Sequence, residues 1–113
     1  MRKFIILSVI CFAFCSCNKA LYLHYNYDEL IYTYVKGGWS DKDNKKIVKQ
    51  YKKIVDVPKG KDIIPPPGSC ADYGFMLFKQ GDTVKAKEYF QKEILLYPES
   101  RSYMNKLLND LDL

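Results

Sequence analysis

The sequence predicts an all-α fold of about five helices, and three observations carry that expectation. Apolar residues recur at helical spacing in five separate stretches. Gly or Pro punctuates the chain between several of them, at Gly37–Gly38, at Pro58 and at Pro98. No stretch shows the strict apolar–polar alternation between turn signals that marks a strand.

The first helix is expected within residues 27–37, where Leu30, Ile31, Tyr34 and Val35 share one face. Asp28 and Glu29 suit its positive end and Lys36 its negative end, and Gly37–Gly38 stops it. Ser40 or Asp41 offers a cap for a second helix over about residues 44–57. Ile47, Val48, Tyr51, Ile54 and Val55 form its inner face, with Lys45, Lys46, Lys49, Lys52 and Lys53 pointing away. A Pro/Gly loop follows from Pro58, extended around Pro65–Pro67 because proline restricts both itself and the residue before it. A third helix is expected over about 69–80 and a fourth over about 82–97, closed by Pro98. The fifth, over about 100–111, carries the stripe Tyr103, Met104, Leu107, Leu108 and Leu111.

The stretch "SCADYGFMLFKQGDTVKAKEYFQKEILLYPES" resembles a tetratricopeptide repeat, a helix–turn–helix unit of about 34 residues. Gly74 stands at the small position of its first helix. Gly81–Asp82 occupies the turn, Ala86 the tight crossing, Phe90 lies one turn on, and Pro98 ends the unit. Cys70, Tyr73 and Leu77 depart from the usual Trp, Leu and Tyr, and Glu93 replaces a second small residue. The resemblance implies a short tetratricopeptide-like helical hairpin array, with the first two helices stacked on the repeat and the fifth capping it. It also implies a groove lined by the first helix of the repeat, which places Phe75, Phe78 and Lys79 as the partner-binding residues, with Ala71 beside them. The first helix, with its tyrosines, could instead cover those rings.

The front of the chain reads as an address. Arg2 and Lys3 precede an almost wholly apolar run from Phe4 to Phe14. At about 11 residues the run is too short to span a bilayer and suits a secretory signal. Its end, "AFCSCNK", resembles a bacterial lipoprotein signal, with the small Ser16 before Cys17. That resemblance implies a signal peptide over residues 1–16, lipid attachment at Cys17, a tether over 17–26 and one helical domain over 27–113. Phe14 departs from the usual Leu, and bulky Phe14 also makes Cys15 the poorer site. Loss of Arg2 and Lys3 would lower the net charge from +5 to +3. Cys70 would then be left without a disulfide partner. Asn18, rather than Asp, after the Cys implies sorting to the outer membrane, and the lack of an acidic run favours its periplasmic face.

Chemistry is scarce along the rest of the chain. His24 is the only histidine, too few ligands accompany it for zinc, and Cys15 and Cys17 lack redox spacing. Cys70 falls on a core-facing helical position, where a thiol is inert. No paired carboxylates or activated nucleophile appear, so no enzyme, metal or cofactor is expected. Eight lysines between Lys42 and Lys61 trace a solvated helix face, with anionic lipid as a further contact. Nucleic acid is not expected, given the compartment. Tyr22, Tyr25, Tyr27, Tyr32 and Tyr34 crowd into 13 residues. They suit packing of the first helix, an interface, or stacking on sugars.

A wider resemblance lies in Tyr25, Tyr27, Glu29 and Tyr32, then "PPG", "YG", "GD", "YFQKE" and "YPES". In these the chain is similar to a group of small bacterial lipoproteins known only as a domain of unknown function. Members are often encoded beside a lipoprotein that resembles the curli secretion channel. The resemblance implies an accessory or adaptor role in an outer-membrane assembly, with another envelope protein as partner. A periplasmic glycan- or ligand-binding protein using the tyrosine cluster is the alternative.

Overall fold

The computed structural model describes residues 41–113 and, upstream of them, the helical positions Glu29, Tyr32, Val35 and Lys36. The signal, Cys17, the tether, His24, the other N-terminal tyrosines and the rest of the first expected helix lie outside the described residues. Four helices follow: α1 (Asp41–Asp56), α2 (Ser69–Lys79), α3 (Thr83–Leu96) and α4 (Arg101–Asp110), with a 3-10 turn at Pro98–Ser100. There is no strand among the described residues. The fold is all-α as expected, and four of the five expected helices fall wholly within residues 41–113.

Helix α1 starts three residues before the expected Asn44 and buries the face its spacing prescribes. Ile47, Tyr51, Ile54 and Val55 are buried and Val48 is half-buried, while the five lysines between Lys45 and Lys53 are exposed. Each such aliphatic side chain taken from water stabilises the fold by about 1.5–3 kcal/mol. The loop after α1 is not a loose connector. Pro65 and Pro66 are buried, and the hydroxyl of Tyr97, at the end of α3, donates to the Pro65 carbonyl at 2.5 Å.

Helices α2 and α3 make a hairpin around the three-residue turn Gln80–Asp82. Gly81 takes φ +87°, a left-handed conformation that costs glycine nothing. This lets Gly81 N–H donate to the Phe78 carbonyl and Asp82 N–H to the Leu77 carbonyl, each at 3.0 Å. The last carbonyls of α2 are thereby satisfied. Asp82 then opens the next helix: its carboxylate accepts from Lys85 N–H at 3.2 Å. One residue closes α2 and caps α3, which fixes the angle between them.

The hairpin closes most tightly at Gly74. A Cβ there would lie 2.9 Å from a Phe90 ring carbon and 3.0 Å from the Ala86 carbonyl oxygen. Ala86 and Phe90 are both fully buried. The core runs from α1 through this crossing to α4, where Met104 and Leu108 are buried and Leu107 and Leu111 pack at its edge. Tyr103 corrects the expected stripe, because it is 69% exposed. Successive helical residues turn by about 100°, so Tyr103 falls at the far edge of the arc centred on Met104 and Leu108.

Candidate functional site

Helix α2 divides into two faces. Tyr73, Met76 and Leu77 are buried against the neighbouring helices, as their spacing predicts. Ala71, Phe75 and Phe78 are half-buried at the margin of the core and Lys79 is exposed. The structure therefore brings the three expected partner-binding residues together. The rings of Phe75 and Phe78 lie nearly parallel, at 19°, with centroids 6.5 Å apart. The ammonium of Lys79 stands 5.2 Å from the Phe75 centroid, where a ring face attracts a cation. Two flat rings edged by a charge can receive an apolar side chain and orient an acidic group beside it.

Glu93 has a role that sequence reasoning missed. It is 2% exposed, although it carries a charge and sits on α3 in a slot where the repeat pattern has a small residue. Its two carboxylate oxygens accept from Gly68 N–H at 2.7 Å and from Ala71 N–H at 3.4 Å. Gly68 is the cap position of α2, has φ +85° and supplies no side chain to its own helix. A carboxylate from the neighbouring helix thus satisfies two of the orphan donors and meets the positive end of the α2 dipole. The signal in the sequence was a helix start without a side-chain cap, paired with an acid in a packing slot. Cys70 lies beside it, fully buried, and burial pushes its thiol up to about 12, with the Glu93 carboxylate adding to the effect. A thiol so held is not a nucleophile at neutral pH.

A second polar cluster ties α1 to the hairpin. Tyr89 donates to Asp56 at 2.5 Å, Lys92 donates to the Val55 carbonyl at 2.7 Å, and Lys52 pairs with Asp56. Tyr51, fully buried, donates to Asp72 at 3.2 Å. Burial works to raise Asp56, but bonds from Lys52 and Tyr89 outweigh it and hold the carboxyl below its ordinary value. Burial raises the Tyr89 phenol, and its bond to Asp56 raises it further. These groups cross-brace α1 against α2 and α3. Among the described residues no three His, Cys, Asp or Glu converge on a point, and no buried side-chain polar atom lacks a partner.

No curated protein and no solved structure is significantly similar to the chain. One family matches, and its description, a domain of unknown function, names no activity. The match runs over residues 21–107 and so takes in α1, the proline loop, the hairpin and most of α4. The chain belongs to this family, DUF4810.

Proposed function

We propose that the protein is a non-enzymatic adaptor, anchored by lipid at Cys17 to the periplasmic face of the outer membrane, that holds another envelope protein. The observation that carries the adaptor reading is the stacked, half-buried pair Phe75 and Phe78 with Lys79 over one ring. A small domain with a buried, inert Cys70 and a braced hairpin suits presentation of a surface rather than chemistry. The tight Gly74–Ala86 crossing supports the finer, tetratricopeptide-like reading of the hairpin. In such arrays the first helix of each unit lines the groove, and that helix is α2.

Crosslinking in intact cells, followed by mass spectrometry of what is captured, tests the proposal. Phe75→Ala and Phe78→Ala should lose the crosslink and keep most of their stability, because the rings are only half-buried. Full burial would cost about 3–5 kcal/mol instead. A destabilised variant that still captures its partner would overturn the binding role of these rings. The anchor is tested apart from it: Cys17→Ser should abolish palmitate labelling, and undiminished labelling would exclude that residue.

A further inference from the structure

We infer that the outer face of α1 is an electrostatic contact for an anionic lipid surface. Lys46, Lys49 and Lys53 follow one another at helical spacing and are all exposed. Val57 N–H donates to the Lys53 carbonyl at 3.0 Å, so the helical turn continues and Val57 extends the same stripe. Val57 is 57% exposed. Lys45 and Lys52 flank the stripe, and from Asn44 to Val55 the helix carries no acid. Of the five lysines only Lys52 is held in an ion pair among the described residues, with Asp56.

The loop that leaves Val57 continues the character of the stripe. Lys59 and Lys61 are exposed there, and Ile63 is 67% exposed at φ +53°. A β-branched residue rarely adopts that conformation. Asp62 is the one exposed acid of that loop. Basic residues gain from the negative potential of anionic headgroups, and aliphatic side chains gain on entering the boundary with the acyl chains. A nucleic-acid backbone would reward the lysines but not Val57 or Ile63. The opposite face of α1 is packed into the core, so α1 would stand between the lipid and the hairpin. This inference rests on the placement of α1 and stands whether or not Cys17 carries lipid.

The test uses the full chain reconstituted into vesicles of phosphatidylglycerol or of phosphatidylcholine. Chain and vesicles together are treated with a water-soluble acetylating reagent, and each lysine is read by mass spectrometry. In phosphatidylglycerol, Lys46, Lys49 and Lys53 should be modified several-fold more slowly than in phosphatidylcholine. Lys87 on α3 and Lys106 on α4, both exposed, should be modified equally in the two. Protection should vanish at about 0.5 M salt, where screening acts within a few ångströms. In the chain with Lys46→Gln, Lys49→Gln and Lys53→Gln together, protection of neighbouring Lys45 should vanish too. Equal modification of the stripe in both vesicles, or equal protection of Lys87 and Lys106, would overturn the inference.

Discussion

Helices α2 and α3 meet where a side chain is missing, whereas α1 meets the hairpin through full-sized side chains ringed by hydrogen bonds. At the first joint Gly74 lets the Phe90 ring and the Ala86 backbone come to within about 3 Å of where a Cβ would stand. At the second, Tyr51, Ile54 and Val55 supply the apolar contact, and Asp56, Tyr89, Lys92 and Asp72 bind the edges. Close-packed joints have no slack, since interiors are as dense as organic crystals. Hydrogen-bonded edges are replaceable one at a time, because each net bond is worth only about 0.5–1.5 kcal/mol. The hairpin is accordingly the rigid half of the domain, and it carries the proposed partner-binding rings. The α1 joint is the adjustable half, and it carries the lysine stripe.

The comparison breaks most readily at Phe90. Phe90→Ala should cost about 3–5 kcal/mol, because the ring is fully buried and fills the space Gly74 leaves. Thermal or urea unfolding would measure it, and a loss under about 1 kcal/mol would show that the crossing can collapse. Overfilling is the next largest effect. Ala86→Leu should cost about 1–3 kcal/mol, since the fully buried Ala86 has its backbone against Gly74. An unchanged melting temperature would show that this joint is as forgiving as the other.

Glu93 sharpens the contrast, because it is a polar bond placed inside the rigid half. Glu93→Ala should cost about 1–2 kcal/mol by leaving the α2 cap position without an acceptor. Glu93→Gln keeps one oxygen and should recover part of that loss. If the two variants unfold alike, the second carboxylate oxygen and its charge carry the effect. If neither differs from the natural chain, water replaces the cap and Glu93 belongs with the replaceable edge bonds.

What could be read from the sequence follows the same division. The inner face of α1, the hairpin and its crossing were legible, because apolar period and small residues are local signals. Phe75, Phe78 and Lys79 were legible as a cluster because three and four residues make one helical turn. The Glu93 cap, the Tyr97 bond to Pro65 and the Tyr89 bond to Asp56 join residues 25, 32 and 33 apart. No spacing rule in one chain announces such pairs. Tyr103 was placed inward for a related reason: an arc of five apolar residues does not say which of its edges the neighbouring helix will cover.

The smallest expected effect separates the two acids at the adjustable joint, and it does so by sign. Asp56 is held below the ordinary carboxyl value, since bonds from Lys52 and Tyr89 outweigh its burial. Its contribution is therefore complete above the unfolded value of about 3.9 and is lost as pH falls through the lower folded value. Asp72 is raised, by burial above all, although Tyr51 donates to it. Its proton is held more tightly in the folded chain, so the linked stability is complete below about 3.9 and is lost as pH rises through the raised value. Asp56→Asn should then melt below the natural chain at neutral pH, and the gap should close only in strong acid. Asp72→Asn keeps an acceptor for the Tyr51 hydroxyl and sheds the charge, so it should melt at or above the natural chain at neutral pH. That advantage should shrink as pH falls and Asp72 of the natural chain takes up its proton. Each difference should stay within about 1.5 kcal/mol, the scale of a single hydrogen bond. Melting curves from pH 7 down to about pH 3 would read both trends against the unfolded carboxyl value. If the two variants moved in the same direction, the edge of this joint would act through packing alone and not through its charges.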